Sequence, residues 1–262
     1  MTEPSLPGNR RPLLIGHKGL PVLAPENTLR SLELALDHGA DSFEVDVVAL
    51  ADGTLVLGHS LELEELCHGA ANGSVGDLSL AELRALDPEL ATLDEALELV
   101  AGKAGVRPIL IDLKLDGIET AVIEAVRTHA LAERALLCSL DRRSLVRARA
   151  VAPEIARSLS YPADTHRISR RRGMALFARA ATRTLRIALP WRIGRWLEET
   201  GAVSATLHHS VIDRSVVARC HAAGALVFAW TVNDADGVQR MVAAGIDGII
   251  SDDSRSVVAA LE

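Results

Sequence analysis

Short apolar runs alternate with helix-period segments through almost all of this chain, and that alternation constrains its fold most. Strands are predicted at Leu13–Gly16, Ser42–Val48, Leu55–Gly58, Pro108–Leu113, Ala135–Leu140, Ile155–Leu159, Thr206–His208, Ala225–Val232 and Gly248–Ile250. Helices are predicted at Leu93–Val100, Ile118–Ala130, Arg142–Ala150, Asp213–Ala223, Ala235–Ala244 and Ser254–Leu261, with another opened by Asn27 as its cap. Strands separated by helices pair in parallel, because a parallel neighbour needs a long crossover. Eight β–α units in 262 residues fit a closed (β/α)8 TIM barrel, which typically takes ~250 residues, better than an open doubly wound sheet. The expectation is an α/β chain with one domain over 1–262. The stretch Leu61–Leu86 breaks the alternation, carrying three glycines and one short helix, Leu80–Leu86. It reads as a small insertion at about 60–86 after the second strand region.

Polar residues cluster where the apolar runs end. His17 closes the first, Glu44 and Asp46 the second, His59 the third, and Asp112 and Lys114 the fourth. Residues i and i+2 of a strand share a face. Glu44 and Asp46 therefore project together, as do Asp112 and Lys114. Barrels carry their active sites at the C-terminal ends of the strands. Structural ion pairs would use the same residue types, but convergence at four successive strand ends outweighs that reading. Three carboxylates suit a hard divalent ion, Mg²⁺ or Ca²⁺, which takes oxygen ligands. Two histidines can serve as acid and base near neutral pH. Lys18 and Lys114 can hold an anion. A dication beside two lysines points to a phosphate ester.

Composition narrows the setting. No apolar run approaches the roughly 18 residues of a membrane span, and the start, MTEPSLPGNRRP, lacks the apolar stretch of a secretory signal. The three cysteines, Cys67, Cys138 and Cys220, are widely spaced, which argues against both a disulfide framework and a structural zinc site. A cytoplasmic protein with reduced thiols is the default. The net charge of −7 is unevenly placed. Between His166 and Leu197 there are nine arginines and no acid, leaving 19 basic and 35 acidic residues elsewhere. That asymmetry suggests a local partner surface and not nucleic-acid binding.

The quoted pieces GHKG (16–19), APENT (24–28), GADSFEVDV (39–47), DGTLVLGHS (52–60), DLSLAELRALD (77–87), TLDEAL (92–97), AWTVND (229–234) and AAGIDGIISD (243–252) recur in order. In these the chain resembles the glycerophosphodiester phosphodiesterases, whose barrel is shared with phosphatidylinositol-type phospholipases. The resemblance implies metal-dependent hydrolysis of a glycerophosphodiester to glycerol 3-phosphate and an alcohol. It implies that His17 and His59 form the acid–base pair and that Glu44, Asp46 and Asp112 bind the metal. Lys18 and Lys114 would contact phosphate, and Trp230 would line the substrate pocket. Three positions depart from the family pattern. Lys18 stands where arginine is usual, exchanging bidentate contact for a point charge. Ser60 stands where an aspartate usually follows the second histidine. Asp112 replaces the glutamate of E-x-K, as in the related spider-toxin phospholipase D branch.

The arginine-rich segment 167–195 allows two readings. The plainer is an elongated fifth barrel helix with a solvated basic face, stopped by Pro190. The other is a basic amphipathic helix lying on an anionic membrane through Arg179, Arg183 and Arg186, which would suit a lysophospholipase D-like or other membrane phosphodiester hydrolase. A lid over the substrate mouth lies between them. A silent barrel that only binds a glycerophosphodiester is a third functional class, and the intact His17 and His59 argue against it. His208 and His209 are read as structural.

Overall fold

The computed structural model describes residues 11–103, 105–162 and 175–262, without the side chains of 175–183. The first half runs β1 (Leu13–His17), α1 (Leu29–Asp37), β2 (Ser42–Ala49), β3 (Leu55–Leu57), α2 (Leu63–Leu66), α3 (Leu80–Leu86), α4 (Leu93–Ala101) and β4 (Ile109–Leu113). The second half runs α5 (Glu119–Thr128), β5 (Ala135–Ser139), α6 (Arg142–Val151), β6 (Ala156–Tyr161), α7 (Ala175–Thr200), β7 (Ser204–His208), α8 (Arg214–Ala222), β8 (Leu226–Trp230), α9 (Ala235–Ala244), β9 (Gly248–Ser251) and α10 (Ser254–Leu261). Eight strands pair in parallel, in the order β1-β9-β8-β7-β6-β5-β4-β2, and β1 also pairs with β2. The sheet is thus closed, and the expected (β/α)8 barrel is present.

One predicted strand has a different place. β3 does not join the ring; it pairs antiparallel with β2, Leu57 opposite Val47 and Leu55 opposite Ala49. The turn between them contains Asp52, whose side chain accepts the Thr54 N–H at 2.9 Å, and Gly53 at φ 89°. A two-strand return with a tight turn is necessarily antiparallel. It carries the chain back down β2, so that Gly58 N donates to Asp46 O at 3.0 Å. Residues 58–92 then connect β3 to α4, with two short helices, α2 and α3, in place of the single one read from the sequence. Leu63, Leu66, Cys67, Val75 and Leu83 pack there with Val48 and Val56 in a small core of their own.

The strands alternate as period two requires. Ile15, Leu110, Leu136, Cys138, Phe228 and Ile250 fill the barrel interior. The alternate positions, such as Leu14, Val45, Ile111, Leu137 and Val227, are buried under the surrounding helices. On three of these strands, moving two residues along leads from apolar to polar: Ile15 to His17, Leu110 to Asp112, Ile250 to Asp252. The floor of the site is therefore the hydrophobic core of the barrel.

Two local predictions need correction. Thr28, not Asn27, caps α1; its hydroxyl accepts the Ser31 N–H at 3.2 Å. Asn27 is taken up by the site described below. Pro190 does not end the arginine-rich helix, since α7 runs through it to Thr200. An interior proline costs a helix ~3 kcal/mol or more. Leu189, Ile193 and Leu197, one stripe at fourfold spacing, are buried against the barrel layer, and that burial outweighs the lost hydrogen bond at roughly 1.5–3 kcal/mol per side chain. The three cysteines are unpaired and buried, as expected.

Candidate active site

The first strand delivers His17 through a loop that only glycine permits. A Cβ on Gly16 would lie 2.6 Å from Gly19 O and 2.7 Å from Ala35 Cβ. Gly19 sits at φ +92°, where a Cβ would lie 2.4 Å from Ser31 Oγ. Gly19→Ala is therefore expected to lose about 1–3 kcal/mol from the backbone conformation, with the clash against Ser31 added. An urea unfolding midpoint equal to wild type would contradict this. Lys18 lies between at φ 56°, with its N–H donating to Glu44 Oε2 at 3.1 Å. This left-handed turn aims the Lys18 side chain at the carboxylates instead of solvent.

His17 is held by a residue from the other end of the chain. Because β9 pairs with β1, Asp252 falls beside it, with Oδ1 2.6 Å from His17 Nδ1. Asn233 donates to Asp252 Oδ2 at 2.7 Å and accepts the Asp252 N–H at 2.9 Å. Burial pushes the Asp252 carboxyl up, but the His17 and Asn233 hydrogen bonds win and hold it below the usual range. The tautomer that fits carries its proton on Nδ1, leaving Nε2 free.

Glu44, Asp46 and Asp112 converge. Each offers an oxygen, and these oxygens lie within 4.8 Å of one another. The β2–β4 register places Asp46 opposite Asp112. Lys114 Nζ reaches Asp112 Oδ2 at 2.5 Å and Asp46 Oδ1 at 2.7 Å. Lys18 Nζ lies 3.0 Å from Glu26 Oε1 and 3.3 Å from Asp46 Oδ2. Asn27, at φ 60°, accepts the Asp46 N–H at 3.1 Å and donates to Asp46 Oδ2 at 3.4 Å.

The electrostatics follow from this packing. Burial and the adjacent Asp46 charge push Glu44 well above the ordinary carboxylate range. Burial would raise Asp46 as well, but Lys114 and Lys18 outweigh it and hold that carboxyl well below its ordinary value. Both lysines are raised in turn: burial opposes their charge, and Asp112, Asp46 and Glu44 around Lys114, with Asp46, Glu26 and Glu44 around Lys18, overcome it. Asp46 Oδ1 and Asp112 Oδ1 are buried without a hydrogen-bond donor in line. Asp46 Oδ1 has only the ion-pair proximity of Lys114. Orphaned buried oxygens are rare, and hard oxygen donors in this number fit Mg²⁺ or Ca²⁺.

His59 reaches the same place by the β2–β3 hairpin. It lines a cavity of about 230 Å³ together with His17, Lys18, Glu44, Asp112, Lys114 and Trp230. Trp230 Nε1 donates to Thr206 O at 3.1 Å, which fixes the ring on the wall opposite the carboxylates. All the predicted site residues except Asp46, which lies fully buried behind Lys18 and Lys114, line this one cavity. His208 stands outside its lining; its Nδ1 lies 2.6 Å from Ser210 Oγ, and burial beside His209 depresses it to about 4.

Sequence reasoning missed Asp252, Asn233, Asn27 and Glu26 as site residues. Asn27, Glu26, Asn233 and Asp252 all lie inside motifs already singled out, APENT, AWTVND and AAGIDGIISD, so their signal was present without a role attached. In the arginine-rich helix, Arg186 donates to Asp213 at 3.1 Å. The side chains of Arg179 and Arg183 lie outside the described residues, as does the segment 163–174 with Arg167, Arg170, Arg171 and Arg172. Among the described residues no helix is long and apolar enough to cross a membrane.

Fold and site together define a (β/α)8 barrel with histidines, lysines and a carboxylate cluster gathered about one cavity at the C-terminal mouth of its strands. Comparison with known proteins agrees. The profile of the glycerophosphoryl diester phosphodiesterase family matches residues 17–256. A glycerophosphodiester phosphodiesterase of Caldanaerobacter subterraneus is 27% identical over 94% of this chain and 96% of its own length. The structure of an Oleispira antarctica phosphodiesterase in complex with the product sn-glycerol-3-phosphate is 27% identical, covering 96% of this chain and 97% of that one at a TM-score of 0.71. A Silicibacter pomeroyi structure at 24% identity and TM-score 0.76, covering 96% and 93%, shares the fold. The chain belongs to the glycerophosphoryl diester phosphodiesterase family.

Proposed function

We propose that this chain hydrolyses glycerophosphodiesters to sn-glycerol 3-phosphate and an alcohol, with His17 and His59 as the acid–base pair. The observation that carries the reading is the shared cavity: His17, His59, Lys18, Lys114, Glu44 and Asp112 line one space, with Asp46 packed behind the two lysines and Asp112 Oδ1 buried without a donor. Glu44, Asp46 and Asp112 would hold a divalent ion, Mg²⁺ or Ca²⁺, which when bound neutralises phosphate charge and acidifies a coordinated hydroxyl. His17, with Nδ1 engaged by Asp252, presents Nε2 to take a proton from the attacking oxygen. The imidazolium so formed is stabilised by Asp252. His59 gives a proton to the departing alcohol oxygen. Lys18 and Lys114 offer positive charge to the phosphoryl oxygens. Trp230 supplies a rigid apolar wall for the rest of the substrate.

The test is release of glycerol 3-phosphate from glycerophosphocholine and glycerophosphoethanolamine, with Mg²⁺, with Ca²⁺ and with EDTA. Release that requires a divalent ion and is lost in His17→Ala is the expected result. Release undiminished in EDTA would remove the metal from the reading. No release under any of these conditions would remove the substrate class.

A further inference from the structure

His59 differs from His17 in how it is held. His17 ends a barrel strand and has Asp252 against it, whereas His59 lies on a loop beyond the hairpin with its side chain 41% exposed. Its ring Nδ1 lies 3.3 Å from Glu65 Oε2. The same Oε2 accepts the Ser60 hydroxyl at 2.7 Å, and Ser60 Oγ in turn accepts the Glu62 N–H at 3.2 Å. Glu65 rides on α2, whose Leu63 and Leu66 are buried in the small core. A Cβ on Gly58 would lie 2.3 Å from Leu66 Cδ1. The bare backbone at Gly58 thus seats α2 directly against the residue that precedes His59.

Resting on the phosphodiesterase reading above, we propose that Glu65 is the positioning residue of His59. It accepts the Nδ1–H and fixes the ring orientation, so that Nε2 faces the cavity: the neutral ring is the Nδ1–H tautomer, and the doubly protonated ring, with Nε2–H, is the form that gives its proton to the departing oxygen. A neutral imidazole carries one ring proton, and the partner of one nitrogen sets the role of the other. Ser60 cannot perform this task, since it bonds Glu65 and not the ring. It acts as a brace that keeps the Glu65 carboxylate in place. The acid–base pair is then two histidine–carboxylate units of separate origin: one from the closing strands of the barrel, one from a helix outside it.

Three variants test this: Glu65→Ala, Glu65→Gln, and Glu65→Ala combined with Ser60→Asp. Glu65→Ala is expected to lower kcat by about tenfold or more, a part of the ~10²–10⁴ that a proton-transfer group contributes, with KM little changed. Glu65→Gln keeps shape and an acceptor, so it retains the packing of α2 and loses less. Ser60→Asp places a carboxylate where the Glu65 oxygen was bonded, and is expected to recover much of the loss. The ¹⁵N shifts of the His59 ring read the tautomer directly: Nδ1–H in wild type, moving toward Nε2–H in Glu65→Ala. A tautomer unchanged by Glu65→Ala would overturn the proposal, as would kcat within twofold of wild type in that variant. Should Glu65→Ala melt early, Glu65→Leu, which fills the space without an acceptor, decides, and a Glu65→Leu enzyme with wild-type kcat and tautomer counts against it. If the wild type releases no glycerol 3-phosphate, the functional reading fails while the ring shifts still decide whether Glu65 holds His59.

Discussion

Lys114→Met is expected to destabilise the protein by about 3–5 kcal/mol in EDTA, the usual cost of removing one partner from a buried ion cluster. Lys114 Nζ lies within 2.7 Å of both Asp46 and Asp112, and Asp46 is fully buried. Without the lysine, Asp46, Asp112 and Glu44 face one another with Lys18 left to balance them. Part of the cost is relieved by a carboxylate taking up a proton. The loss should therefore shrink as pH falls and grow as pH rises, because protonation removes the repulsion only in acid. Urea unfolding at several pH values measures this. Adding Mg²⁺ or Ca²⁺ is expected to restore much of the stability, since a cation held by the same oxygens replaces the missing charge. An EDTA midpoint equal to wild type would show that the cluster does not need Lys114.

His17→Ala is expected to lower kcat by about 10²–10⁴, the contribution of a positioned acid–base group. Its effect on folding should be small, because the ring is a part-exposed group at a strand end and its removal leaves Asp252 with Asn233 still bonded. The carboxylates are untouched, so the shift in melting temperature on adding a divalent ion should match wild type. Activity within tenfold of wild type would remove His17 from the chemistry. Loss of the metal-induced shift together with activity would make His17 part of the ion site.

Much of this was legible in the sequence, and the legible part has a physical basis. Strand tips could be located because apolar runs stop at charged residues. The pairing of Asp46 with Asp112 follows from period two within each strand once the strands are neighbours. What could not be read was contact between distant segments. His17 and Asp252 are 235 residues apart, and only closure of the barrel through β1 and β9 makes them neighbours. Asn27 looked like a helix cap because that is the commonest use of asparagine before an apolar stripe. Thr28 took that role, and the left-handed backbone at Asn27 turned its amide toward Asp46. The run Leu55–Leu57 had the composition of any barrel strand. Its direction was set by the short turn at Gly53, which composition alone does not weigh against a crossover. Pro190 misled because the local rule was applied without the burial of Leu189, Ile193 and Leu197, which lies in the tertiary structure.

The hairpin and α2 give the two halves of the acid–base pair different mechanical fates. His17 belongs to the closed ring, where every strand is bonded on both sides and opening requires the whole barrel to come apart. His59 and Glu65 belong to a segment with its own small core, held to the ring by β3 on β2 and by His68, whose Nε2 lies 2.7 Å from Glu26 O. Such satellite units open at lower free energy than the body that carries them. On gentle heating or in mild denaturant, activity is expected to fade while the barrel still gives its full circular dichroism and still takes up a divalent ion. The enzyme would then be limited in temperature range by a few residues outside the barrel, and fastening that flap would extend the working range without strengthening the core.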